Sequence, residues 1–170
     1  MASFIGSYSL SFGLFFSIFI ILYSFINLKN AEVLDKKIVS FTFIQFFFVL
    51  ISFLGLIISF VSSDFSNETV FNHSHTTKPM FYKISGTWGN HEGSLLLWLL
   101  VLTLFISIFL IKSNQQPTKY RIFTLLFQQI IIIGFFVFLI KTSSPFNYIF
   151  PKPNEGLGLN PILQDPALAI

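Results

Sequence analysis

Four uncharged stretches, residues 1–28, 38–63, 93–111 and 122–140, constrain the fold more than any other feature of this sequence. At about 1.5 Å per residue, a helix of roughly 20 residues crosses the ~30 Å hydrocarbon core of a bilayer, so each stretch is long enough to span it. Strands fit poorly. The runs lack period-2 alternation, and the segment Phe46-Phe47-Phe48-Val49-Leu50-Ile51 is apolar on every face. In lipid the backbone must satisfy its own hydrogen bonds, and that requirement outweighs the few tenths of a kcal/mol by which β-branched runs such as 130–133 disfavour helix. Only 10% of the 170 residues are charged and 54% are hydrophobic, against about a quarter charged in a soluble domain. The reading is an all-α integral membrane protein. It has four transmembrane helices (spans about 8–28, 39–61, 94–111 and 122–140) within a domain of residues 1–144, followed by a Pro/Gly-rich tail of residues 145–170.

The loops set an expected orientation. Lys29, Lys36 and Lys37 lie between the first two spans, and Lys112, Lys119 and Arg121 lie between the last two. The positive-inside rule puts these short loops on the cytoplasmic or matrix side. The amino terminus, the long loop 62–92 and the tail then face the other side, here called outer. The net charge of +3 resides in these topogenic loops, so it calls for a membrane and for no nucleic-acid partner. The first positive charge, Lys29, follows the first span, so a cleavable signal is not expected. The chain has no cysteine, which excludes disulfides and thiolate metal sites. Its 25 phenylalanines, with abundant Ile, Asn and Lys, match the bias of an AT-rich organellar gene.

The outer loop holds the chemistry-bearing residues. His73 and His75 form a His-x-His pair, but a metal site needs three or four ligands and only Asp64 and Glu68 lie near in sequence, so the polar composition favours a mobile, solvated loop. The sequons at Asn67 and Asn72 read as chance occurrences. Residues 79–84, with Phe81, Tyr82 and Lys83, suit a segment at headgroup level. Next comes Thr87-Trp88-Gly89-Asn90-His91-Glu92-Gly93-Ser94, at the mouth of the third span. Asn90 is a good N-cap, which places Glu92 at the positive end of the helix dipole. Trp88 precedes Glu92 by four residues, and His91 precedes Trp98 by seven, so one helix face could gather Trp88, His91, Glu92 and Trp98. Two readings stay open on the residues alone: a capped helix entry with an interfacial tryptophan belt, and a cofactor-facing site.

The stretch from Ile84 to Trp98 resembles the Trp-Gly-x-His-Glu-Gly-Ser signature of CcmF, the haem lyase subunit of the system I pathway of cytochrome c maturation. A second stretch, Leu159-Asn160-Pro161-Ile162-Leu163-Gln164-Asp165-Pro166, resembles the same family's Leu-Asn-Pro-x-Leu-Gln-Asp-Pro segment. The resemblance implies haem as cofactor, contacts at Trp88, His91, Glu92 and Trp98, and attachment of haem, delivered by a haem chaperone, to a CXXCH motif of apocytochrome c. In the family the tail motif runs into His-Pro-Pro, whose histidine is an outer haem ligand, whereas this sequence ends at Ile170. It also lacks the family's Trp-rich outer domain and any histidine within a span. The expectation is therefore an amino-terminal piece, not catalytic alone, in a mitochondrial inner membrane (or a bacterial plasma membrane if not organellar). A separately encoded CcmF-like carboxy-terminal polypeptide would bear the ligands. The alternative is a non-catalytic structural subunit of a respiratory complex; a transporter is disfavoured because the spans contain no charge. In the tail, five prolines and two glycines exclude a long helix and require docking. There Asp165 suits a short helix cap, and the ending 167–170 suits a buried terminus.

Overall fold

A computed structural model of the protein describes residues 1–26 and 31–158, with only the backbone described for residues 31–35. The second family-like segment, Asp165, the chain end and Lys29 lie outside the described residues. Among the described residues six helices run in the order α1 (Ala2–Ile26), α2 (Ala31–Val61), α3 (Glu68–His73), α4 (Met80–Gly86), α5 (His91–Lys112) and α6 (Thr118–Lys141). Four of them, α1, α2, α5 and α6, are long and apolar enough to cross a membrane, so the expected all-α membrane fold is found. Helix α1 starts at Ala2 rather than near residue 8, and α2, α5 and α6 also extend past their apolar runs. Hydropathy marks where a helix meets hydrocarbon, whereas caps decide where it ends.

Helix α2 is central. It packs on α1, α5, α6 and α4, while α1 against α6 and α5 against α6 close the bundle. The spans are apolar all round, so sidedness is written in residue size. Buried positions of α1 are Ser3, Gly6, Ser9, Leu10, Gly13, Ser17, Ile20 and Ser24. Its outward positions include Phe4, Phe12, Phe15 and Phe25. Lipid accepts large apolar side chains as readily as a neighbouring helix does, so small residues go inside, where they let backbones approach. Several buried hydroxyls of the spans bond to their own helix: Thr42 to the Ile38 carbonyl, Ser59 to that of Gly55, Thr103 to that of Leu99 and Ser107 to that of Thr103.

One polar group joins three helices in mid-bundle. Ser17 on α1 donates to Gln129 Oε1 on α6 at 2.5 Å, and Gln45 Nε2 on α2 donates to Ser17 Oγ at 3.0 Å and to Gln129 Oε1 at 3.1 Å. Gln129 Nε2 returns a bond to Gln45 Oε1 at 2.8 Å. All three residues are fully buried. At the end of the bundle opposite the long loop, Arg121 is buried rather than lying free in a charged loop. Its guanidinium donates to Ser113 Oγ at 3.1 Å and to the Leu110 carbonyl, so it satisfies the end of α5, where the helix dipole favours a cation.

The polar stretch around His73 and His75 is folded, contrary to the mobility suggested by its composition. Asn67 caps α3 by accepting from Val70 N, and its Nδ2 donates to Ser3 Oγ (3.0 Å) and to the Pro145 carbonyl (2.9 Å). It is 1% exposed, so this sequon asparagine has no room for a glycan. The tail threads back along the same segment. Ile149 N bonds to the Ser66 carbonyl and Glu68 N to the Asn147 carbonyl, while Leu157 N bonds to the Phe71 carbonyl. A side chain at Gly156 would put Cβ 2.1 Å from the Ser74 carbonyl oxygen, so the tail can lie this close only because that residue is glycine.

Replacing Gln129 alone by Leu strands the Gln45 amide, and stability to detergent unfolding is expected to fall by about 1–2 kcal/mol. The double variant Gln45→Leu/Gln129→Leu should recover part of that loss. A double variant less stable than the sum of the single ones contradicts the shared hydrogen bond.

Candidate functional site

The Trp-Gly-Asn-His-Glu-Gly-Ser stretch lies where α4 ends and α5 begins. Asn90 is extended (φ −130°, ψ 167°), and its Oδ1 accepts from Gly93 N at 2.7 Å, which caps α5. Its Nδ2 donates to the carbonyls of Gly86 (2.7 Å) and Thr87 (3.2 Å), so one side chain caps both helices that meet there. Gly93 is dictated by packing, because a Cβ there would lie 1.6 Å from the Thr87 carbonyl oxygen. The capped-entry reading therefore accounts for Asn90 and Gly93.

The other residues separate. Trp88 precedes the start of α5, so its four-residue spacing to Glu92 does not put them on one helix face, and its ring packs partly buried against the core. Glu92 lies about 100° around α5 from His91. Its charge is close enough to His73 to favour that ring's protonation, a link that short-range sequence spacing could not reveal. His91 and Trp98 do share a side of α5, together with Leu95. The exposed His91 ring shares a hydrogen bond between Nδ1 and Ser143 Oγ at 2.8 Å and meets the Phe138 ring edge-on at 6.2 Å. Below it an apolar groove of about 420 Å³ runs between α5 and α6, lined by Leu95, Ile131, Gly134, Phe135 and Phe138. Trp98 stands 60% exposed, about 10 Å along the helix from His91. The arrangement offers one oriented imidazole at the rim of an apolar wall. Ser143, which fixes the ring, is 52 residues from His91 and had no sequence signal.

The His-x-His pair is built into the loop. His73 ends α3, and burial holds its pKa below the ordinary 6.5, against the opposing pull of Glu92, with Lys78 adding to the depression. His75 bonds through Nδ1 to Thr77 Oγ1 at 2.9 Å and lies 3.7 Å from Glu155 of the tail. Glu155 also accepts from the Thr76 amide (2.9 Å) and hydroxyl (2.7 Å), which lowers its pKa. Among the described residues no three His, Cys, Asp or Glu side chains are grouped to hold a metal ion.

A family model described as "Cytochrome C assembly protein" matches residues 88–170. The cytochrome c-type biogenesis protein ccl1 of Rhodobacter capsulatus is 45% identical over 125 residues, covering 74% of this chain and 19% of that protein. The corresponding protein CycK of Bradyrhizobium diazoefficiens is 41% identical over 151 residues, covering 86% and 23%. CcmF of Escherichia coli is 39% identical over 129 residues, covering 75% and 20%. A solved structure of the cytochrome c haem lyase CcmF superposes with a TM-score of 0.78 at 26% identity, over 86% of this chain and 25% of that one. Fold and matches together define a multi-pass membrane protein of the cytochrome c assembly class. Within that class the chain belongs to the CcmF family. It spans about a fifth of the length of the curated relatives it matches.

Two outcomes follow from this geometry. Asn90→Ala should cost about 1–2 kcal/mol by removing the double cap, and Gly93→Ala should cost more because the clash is with backbone; thermal unfolding in detergent measures both. The second concerns pH. Since the folded state holds the His73 pKa below 6.5, the unfolded loop takes up a proton first, and the stability of α3 falls as pH drops below about 6.5. Amide exchange over residues 67–74 should quicken from pH 7.5 to pH 5.5, and His73→Gln should flatten that response.

Proposed function

We propose that this chain is the amino-terminal part of a CcmF-type haem lyase and acts with a separately encoded polypeptide that carries the remaining helices, the Trp-rich domain and the haem ligands. The observation that carries the reading is the similarity to CcmF relatives over most of the chain but only a fifth of their length. The curated relatives are bacterial, and the AT-biased composition supports a mitochondrial inner membrane for this one. Basic residues at one end of the bundle support an orientation with residues 62–92 and 141–170 on the intermembrane-space side, where haem from a chaperone meets apocytochrome c.

The residues present fit a supporting contact to haem rather than a whole site. His91 projects from the first turn of α5 with Nδ1 engaged by Ser143, so Nε2 is free to face outward. For the Nε2 lone pair to be offered to a ligand, the proton must sit on Nδ1, whose N–H then donates a hydrogen bond to Ser143 Oγ and fixes the ring. The groove below and the Trp98 indole supply apolar wall. Trp88 packs against the core behind this face, and Glu92 adds a negative charge to the same helix entry. Bound haem would supply the vinyl groups for thioether formation.

The test is purification of the native assembly, with subunit identification and an absorbance spectrum. Recovery of a CcmF-like partner and a Soret band reduced by His91→Ala is the expected result. Recovery as a lone stable monomer, or solely with respiratory-complex subunits, overturns the haem-lyase reading and favours a structural role. A spectrum unchanged by His91→Ala removes His91 from the site.

A further inference from the structure

The outward face shared by α5 and α6 is unlike the lipid-facing side of α1. On α5, Leu95, Trp98 and Leu102 recur at intervals of three and four residues, and on α6 so do Gln128, Ile131, Phe135 and Phe138. The alternation of three and four is close to the ~3.5-residue period at which a helix keeps one seam toward a partner helix. The groove lies between the two sets, with Gly134 in its wall. A Cβ built on Gly134 meets nothing within 4 Å, so a neighbouring backbone has room to approach there.

Two polar groups on this face have no bonding partner among the described residues: the Trp98 indole N–H and the Gln128 carboxamide. Gln128 is 13 residues before the outer end of α6, so it lies near mid-depth of the span. Acyl chains offer neither donor nor acceptor, and an unpaired amide at that depth is costly in hydrocarbon. The adjacent Gln129 points inward and is fully bonded. Gln128 is turned about 100° around the helix from Gln129 and is only half-buried, so one glutamine is used inside the bundle and the other remains for a contact at its flank.

We infer that the α5/α6 groove is the seat of a transmembrane helix from the part of the CcmF fold that this chain does not span, a helix that packs on Gly134 and hydrogen-bonds to Gln128 and Trp98. The inference rests on the proposed partner polypeptide and adds the face on which it docks. The room for such a helix is plain from the lengths: this chain covers only 25% of the solved CcmF chain it matches. A polypeptide also answers the two unpaired groups, which a purely apolar occupant leaves stranded.

The experiment places the photoreactive residue benzoylphenylalanine at Ile131 in the groove and, in a second variant, at Phe15 on α1, in the full chain within its native assembly. Irradiation should join position 131 to a membrane-crossing segment of the partner, identified by mass spectrometry, and position 15 to lipid. Gly134→Leu fills the groove without touching the bundle interior, and should lower partner recovery on the order of tenfold. Gln128→Leu should lower it in the same direction. If the partner co-purifies but position 131 yields only lipid adducts, the docking face is wrong and the functional reading stands. If the adduct is with a second copy of this chain, the groove is a self-association surface and the inference fails. If no partner co-purifies, both fall.

Discussion

Burying a phenylalanine between helices gains little over leaving it in lipid, and the whole architecture follows from that. What holds the bundle is close backbone approach and hydrogen bonds that lipid does not offer. Hence α1 buries serines and glycines and shows phenylalanines outward, and Ser17, Gln45 and Gln129 meet at the centre. Core aliphatic residues such as Val49, Leu56, Leu99 and Ile132 fill the remaining space, but without the hydrophobic driving force that they supply in water.

The same constraint explains what was legible in advance. Long uncharged runs have one stable form in lipid, so the number and type of the spans could be read directly, and Asn90 could be read as a cap because its chemistry is local. Long-range partners could not. Arg121 looked like a topogenic charge, yet it turns under the end of α5; the loop 62–78 looked mobile, yet it is held by Asn67 and by the returning tail. Helix spacing also misleads when the helix has not begun: Trp88 lies before His91, so its relation to Glu92 was not helical. His91 is bonded to Ser143, and the charge of Glu92 acts on His73; both relations depend on the tertiary fold.

The motif therefore serves two purposes within a few residues. Asn90 and Gly93 are occupied in joining α4 to α5, and that joint fixes the direction in which His91 leaves the helix. Precision at a functional group comes from such supporting contacts, here two caps and a serine just beyond the end of α6. Membership of the CcmF family gives this rigid rim its context, since only a fraction of the family's length is present in the chain.

Asn67 bears on how the protein is made. Its amide reaches Ser3 at the start of the first helix and the Pro145 carbonyl beyond the last, so three remote parts of the chain meet at a single side chain. During synthesis the first two helices can insert and pair, but this knot stays untied until the ribosome has delivered residue 145 and the fourth helix is in place. Closure of the rim is thus a late event of biogenesis, governed by contacts that join the two ends of the bundle sequence to its middle.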